Sequence, residues 1–262
     1  MGALLLDPLA ALGRGTLSVC RGAGAVALFA LEAVSHLLRP PFYGRLFWRS
    51  FLEVAWFSLP VVALTAVFTG MVLALQSYTG FARFNAQSAV AGVVVLSLTR
   101  ELGPVLAGLM VAGRIGAGFA AEIGTMRVTD QIDALTTLST NPMKYLVAPR
   151  LLAATLAMPL LVLVADVLGV MGGWLIGTMK LGFVSAAYLK ATFDFLETMD
   201  VVSGLAKAAV FGFVVALMGT WCGYASRGGA EGVGTATTTA VVASSILILA
   251  LDYALTEMFF AR

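Results

Sequence analysis

The sequence predicts an all-α, polytopic membrane protein with five transmembrane helices, an N-terminal interfacial amphipathic helix and a short cytoplasmic helix between two spans. Three observations carry that prediction. Sixty per cent of the 262 residues are hydrophobic and only 11% are charged, against about 25% charged in a soluble domain. Five apolar segments each reach the ~20 residues that a bilayer requires. Within residues 99–135, small side chains recur at every fourth position, at Gly108, Ala112, Gly116, Ala120 and Gly124. That spacing makes a bare helical ridge, which lets helices approach closely in lipid.

In chain order, residues 1–49 form an N-terminal helical region. Asp7, Arg14 and Arg21 share one helical face, as in a helix lying in the interface; a frayed polar leader is the alternative. The same charges interrupt the apolar start, and no A-x-A site follows a basic stretch, so a secretory signal is not expected. Residues 50–262 form the spanning bundle, and the two regions make one domain, 1–262. Spans are predicted at about 51–76, 89–119, 146–179, 201–223 and 239–260. The third is long enough to be tilted or broken near Pro159. It carries its own small-residue stripe, Gly169, Gly173 and Gly177, read as helix packing. No internal repeat is visible, which argues against an inverted-repeat secondary transporter.

With the N-terminus inside, Arg14, Arg21, Arg39, Arg45, Arg49, Arg127, Lys144, Arg150 and Arg227 face the cytoplasm. Arg83, Lys180, Lys190 and Arg262 face outward. The excess of inside Lys and Arg favours N-inside, C-outside. At 1.5 Å per residue, Arg100 and Glu101 then lie about 17 Å below the outer end of their span, Lys207 about 9 Å and Asp252 about 12 Å. Their charges cancel, so they can pair inside a bundle at reduced burial cost. Arg100 and Glu101 are adjacent and cannot face one another on a helix, so each needs a partner elsewhere. Two readings stay open: a network that fixes helix register, and the lining of a polar cavity. Asp166 is a further buried polar group, and its partner is not readable. His36 belongs to the interfacial region, and Cys20 and Cys222 are too few for a disulfide framework.

The net charge of +2 with no basic tract argues against nucleic acid. There is no G-x-x-x-x-G-K-[ST], H-E-x-x-H or G-x-S-x-G, and only one histidine. No catalytic or metal-binding residue is therefore assigned. Residues 122–138 are different in kind. Ile123, Met126, Ile132, Leu135 and Leu138 form an apolar set among Glu122, Arg127, Asp130, Gln131 and Asp133, and Asn141-Pro142 ends the segment. One amphipathic helix there could transmit force from a soluble partner; a helix resting on the membrane surface is the alternative.

The run Arg100-Glu101-Leu102-Gly103-Pro104, then Ala112-Gly113-Arg114 and Glu122-Ile123-Gly124-Thr125-Met126-Arg127-Val128-Thr129-Asp130-Gln131-Ile132-Asp133-Ala134-Leu135, resembles the Mla permease family. Pro149-Arg150 and the later stretch from Cys222-Gly223-Tyr224 to Ala236-Thr237-Thr238 fit the same pattern. These permeases are membrane subunits of ABC transporters for phospholipid traffic between Gram-negative inner and outer membranes, which maintains outer-membrane lipid asymmetry. The resemblance implies a homodimer in the inner membrane with the N-terminus cytoplasmic and the C-terminus periplasmic. It implies a cytoplasmic ABC ATPase gripping a coupling helix that contains Glu122, Arg127, Asp130, Ile132, Asp133 and Leu135. A STAS-domain subunit and a periplasmic MCE-domain ring complete the implied assembly. ATP and Mg would sit on the ATPase, with no cofactor on this chain. Phospholipid would occupy an outward-facing cavity between protomers, near Arg100, Glu101, Lys207 and Asp252, while Gly108, Gly116, Gly169, Gly173 and Gly177 serve packing. Some relatives carry basic residues where Thr235 and Thr239 stand, so no phosphate contact is carried over to those two positions. A related permease for sterols or other apolar lipids, and a non-transporting scaffold for an MCE ring, are the alternatives.

Overall fold

The computed structural model describes the backbone of residues 3–37 and 39–260, with side chains except at 3–12 and 19. Helix α1 (Ala3–Leu37) leads through an elbow into α2 (Gly44–Ala82). One rod, Gln87–Val128, then contains α3 (Val90–Ser97), α4 (Gly103–Val111) and α5 (Ala117–Val128). Its pieces are joined by π turns at Leu98–Leu102 and Ala112–Gly116. The short α6 (Gln131–Thr137) and a third π turn, Met143–Val147, precede α7 (Ala148–Met179). Helices α8 (Ser185–Phe195), α9 (Thr198–Tyr224) and α10 (Gly229–Phe260) complete the bundle, with no strand among the described residues.

Among the described residues, six helical stretches are long and apolar enough to cross a membrane. Five coincide with the predicted spans. The sixth is Gly13–Leu37, with a mean hydropathy of 1.6, in the region read from sequence as an interfacial helix. The difference has a compositional reason: from Gly22 to Leu31 the segment holds no charge. Of the three charges placed on one face, Arg14 and Arg21 are exposed and Asp7 lies outside the described side chains. Arg262, counted for orientation, also lies outside the described residues. Helix α7 runs through Pro159 without a break. Helix α10 begins well before residue 239, because its small-residue first turns pack onto α5, where Val233 meets Gly124.

Helices α7 and α9 form the centre, flanked by α2 on one side and α5 with α10 on the other. Helix α2 buries every fourth residue, Ser50, Val54, Ser58, Val62, Ala66, Gly70 and Ala74, and leaves its opposite face apolar and exposed. A single buried stripe on an otherwise apolar helix suits a wall of a membrane bundle. Its contact with α7 is backbone on backbone: Gly70 lies against the Gly169 carbonyl, and Gly172 against the Val67 carbonyl. Helix α1 docks through its second half. Phe29 meets Trp221 edge-on at 5.1 Å and Tyr224 at 5.8 Å, and Ala33 is fully buried.

The α2–α7 contact yields a stability prediction. A methyl group at Gly70 would overlap the Gly169 carbonyl, whereas Gly80 on the same helix has nothing within 4 Å. Gly70→Ala should therefore cost about 1–3 kcal/mol, the usual penalty for overpacking. Gly80→Ala should be near neutral. Denaturant unfolding of the purified chain in mild detergent measures both; equal midpoints would contradict the contact.

Candidate functional site

The site begins with a missing hydrogen bond. Pro104 has no N–H, so the Arg100 carbonyl loses its i→i−4 donor. Gly103 N–H reaches past it to the Leu98 carbonyl, which widens the chain into the π turn Leu98–Leu102. Lys207 of α9 takes the freed position, its Nζ donating to the Arg100 carbonyl at 2.9 Å. The same ammonium donates to Glu101 Oε2 and to Thr256 Oγ1, both at 2.7 Å. Asp252 Oδ1 lies 3.0 Å away. Lys207 is fully buried, so these oxygens replace its water shell.

Arg100 turns to another partner. Its Nε donates to Asp200 Oδ1 at 2.6 Å, and its guanidinium lies 4.5 Å from the centre of the Phe260 ring. Asp200 is fully buried, and its second oxygen accepts the Glu197 N–H at 3.0 Å. One carboxylate thus caps the N-terminus of α9, where negative charge is favoured, and binds Arg100. Arg100 and Glu101 each remain about one-third exposed, at 34% and 36%. Among the described residues, the terminal nitrogens of Arg100 have no hydrogen-bond partner. The structure therefore brings together Arg100, Glu101, Lys207 and Asp252, and adds Asp200 and Thr256. With Asp200 the cluster carries one net negative charge instead of zero. Asp200 was not among the sequence candidates; it lies in the first turn of α9, after helix α8.

Asp166 faces the other side of the same rod. It is buried against Gly103, and among the described residues its Oδ1 has no hydrogen-bond partner. A further membrane-depth cation, Arg114, was not read as a candidate. It lies in the second π turn and donates to Ser58 Oγ at 3.0 Å and to the Glu53 carbonyl at 3.3 Å. The signal was present, since an arginine inside an apolar span is functional by default.

The 122–138 segment is not one helix. Helix α5 ends at Val128, Asp130 takes a left-handed conformation at φ +58°, and α6 starts anew at Gln131. Aspartate tolerates that region better than most residues. An Arg127–Asp133 ion pair of 2.8 Å spans the break. Glu122 pairs with the largely buried Arg150 at 2.7 Å. Ile132 is buried and Leu135 half-buried, whereas Asp130, Asp133 and Leu138 are exposed. The surface open to a partner is thus the tip of α6, and Ile132 belongs to the bundle's own core. These residues lie at the α1 end, far from the Lys207 cluster.

The five packing glycines sit at helix contacts. Gly108 faces Ile248 and Phe211, and Gly116 faces Val215 and Ser244, so the ridge runs between α9 and α10. Gly169 faces Leu98 and the Ala66 carbonyl, Gly173 faces Val94, and Gly177 faces the Tyr188 ring. The tightest approaches fall at other glycines, among them Gly70, Gly172, Gly204 and Gly212.

A profile of the family described as permease MlaE matches residues 47–258. A "Probable ABC transporter permease protein" of Rickettsia felis is 59% identical over 257 residues, covering 98% of this chain and 99% of the relative. A protein of the same description from Synechocystis is 42% identical, covering 78% of this chain and 77% of the relative. The Arabidopsis thaliana protein trigalactosyldiacylglycerol 1, chloroplastic, is 35% identical over 90% of this chain and 67% of its own length.

The cluster makes charge balance testable. Lys207→Ala strands Asp252, which is mostly buried, and Glu101, which is about one-third exposed. The loss should therefore fall below the ~3–5 kcal/mol typical of breaking a fully buried pair. Adding Glu101→Gln to Lys207→Ala should restore part of that loss, as read by denaturant unfolding in detergent. A single mutant as stable as the parent would refute the burial argument.

Proposed function

We propose that this chain, which belongs to the permease MlaE family, is the membrane subunit of an ABC transporter that moves phospholipid, with ATP hydrolysed on a separate subunit. The observation that carries this reading is the membrane-depth charge cluster, where Arg100 is about one-third exposed and, among the described residues, its terminal nitrogens have no hydrogen-bond partner. Phe68, Thr69, Val72, Leu73, Gln76 and Leu102 line an open recess of about 370 Å³ between α2 and the rod. Arg100 and Glu101 belong to the same rod but face α9 and α10 and do not line this recess. A phospholipid carries a group for each feature: a phosphate for the free guanidinium nitrogens of Arg100 and acyl chains for apolar wall of this kind. The lipid named in the Arabidopsis relative supports a lipid as cargo.

A recess open on one side calls for a second wall, and in the proposed homodimer a second copy supplies it. With α1 lying in the interface and the other five long helices crossing, the excess of Lys and Arg at the α6 end supports a cytoplasmic N-terminus and a periplasmic C-terminus in a Gram-negative inner membrane. The ATPase then docks on the tip of α6, with a STAS-domain subunit beside it, and a periplasmic MCE-domain ring stands over the cluster end. The transporter maintains outer-membrane lipid asymmetry.

The test is ATP-driven transfer of a fluorescent phospholipid in proteoliposomes that hold this chain with its ATPase. Asp130→Lys and Leu138→Asp alter exposed side chains of the tip, and each should lower ATP-dependent transfer about tenfold, a normal loss for an interface hot spot. Transfer indifferent to ATP would overturn the reading, as would a sterol moved in preference to phospholipid. Unchanged coupling in both variants would move the ATPase contact away from α6.

A further inference from the structure

At the end of the bundle opposite the Lys207 cluster, the elbow between α1 and α2 packs against the start of α7. Tyr43 meets Tyr145 edge-on at 5.3 Å, and Lys144 donates one proton to the Pro40 carbonyl. Between elbow and helix lies a cavity of about 270 Å³. Its walls include Leu37, Phe42, Phe47 and Leu152, and its polar lining includes His36 and Lys144.

Both polar groups have donors to spare. Lys144 spends one of three protons on Pro40. The Asn141 amide nitrogen lies 3.3 Å from His36 Nε2, with Glu32 Oε1 at 4.0 Å. An amide NH2 can only donate, so Nε2 of the neutral ring accepts and Nδ1 carries the hydrogen. That Nδ1 is buried and, among the described residues, has no hydrogen-bond partner. Beyond Glu32, which stands beside His36, the charge along the elbow is basic. No acidic residue falls between Glu32 and Glu53, while Arg39, Arg45 and Arg49 are exposed along the elbow. Phe42 and Trp48 are exposed beside them, the aromatic and basic pairing of a membrane–water interface.

We propose that this cavity holds one anionic glycerophospholipid of the surrounding leaflet, its phosphate on Lys144 and one acyl chain between Phe47 and Leu152. Charge complementarity selects an anionic headgroup, as in other basic pockets between membrane helices. The apolar walls distinguish a lipid from a free anion, since phosphate alone would leave them empty. The lipid is separate from the cargo and holds the N-terminal helix to the bundle. The inference requires only that the chain is membrane-embedded, so it stands or falls independently of the transport reading.

The experiment uses the full-length chain in neutral detergent with dioleoylphosphatidylglycerol or dioleoylphosphatidylcholine, each carrying a photoactivatable acyl chain. Crosslinked peptides locate the bound lipid. The glycerol lipid should label peptides containing Phe47 or Leu152, with at least about fivefold preference over the choline lipid, the scale expected for one or two basic contacts. Lys144→Gln should abolish that preference and Lys144→Arg should keep it. Leu152→Trp fills the groove from a partly exposed position and should reduce labelling by both lipids, so the proposal stays testable even if Lys144→Gln loosens the elbow. Millimolar inorganic phosphate should not compete. Equal labelling by the two lipids, labelling only elsewhere, competition by phosphate, or full labelling of Leu152→Trp would each overturn the proposal.

Discussion

A lysine ammonium with no access to water is the constraint around which the charged end of this bundle is arranged. Removing such an ion from water costs several kcal/mol even after relaxation, and only close, well-directed oxygens offset that cost. Lys207 finds them on two other helical elements: the Arg100 carbonyl and Glu101 carboxylate on the rod, and Thr256 with Asp252 on α10. Each contact fixes a helix relative to α9. Sliding α10 by one turn would remove Thr256 and Asp252 together, because they lie four residues apart on one face. The ion pairs therefore specify register at a place where apolar surfaces against lipid specify little.

The rod supplies the geometry by departing from a regular helix. Three π turns occur among the described residues, and each contains a basic side chain: Arg100, Arg114 and Lys144. A π turn inserts one residue, which re-aims the side chains that follow and frees backbone groups for outside partners. At Leu98–Leu102 the consequences can be followed atom by atom. Pro104 withdraws a donor, Lys207 replaces it, and Arg100 and Glu101, which as helix neighbours point in different directions, take different partners. At Ala112–Gly116 the result is an arginine pinned to Ser58 and the Glu53 carbonyl of α2. Each basic group lies where an ordinary helix would have no unusual acceptor or direction to offer.

The spans were legible because twenty apolar residues have few other uses, and each boundary moved only by the extra turns that emerge from the apolar zone. Depth counting put Arg100, Glu101, Lys207 and Asp252 at a common level, and the structure brings them into contact. That counting did not include Asp200, because a carboxylate at the first turn of a span resembles a loop residue until its partner is known. Thr256 carried no signal, as a threonine in an apolar helix normally bonds its own backbone. The break at Asp130 was hidden for a related reason: hydrophobic spacing continues across it, and a single left-handed residue leaves no periodic trace. Small-residue stripes announced that helices approach closely, but not which neighbours do so. The tightest approach of a glycine to a different helix, Gly70 on Gly169, joins one stripe glycine to a residue outside any stripe.

One helix connects the two ends. Between Arg100 and Asp130 the rod covers thirty residues, about 45 Å at helical rise, with no loop between the Lys207 cluster and the left-handed break before α6. In the proposed transporter, a displacement of α6 enters the rod across the Arg127–Asp133 ion pair, and the Glu122–Arg150 pair ties the same turn of α5 to α7. These two pairs are exposed to different degrees. Asp133 is open to solvent, which weakens and screens its attraction, whereas Arg150 is largely buried and also lies over the Phe119 ring. The joint at α6 is thus the compliant one and the joint at α7 the stiff one. Motion arriving at α6 is more readily absorbed as rotation about Asp130 than as separation of α5 from α7. For it to reach Arg100, α5, α7 and the Lys207 cluster have to move as one body, and the buried ammonium, bound to the rod and to α10 at once, keeps that body together.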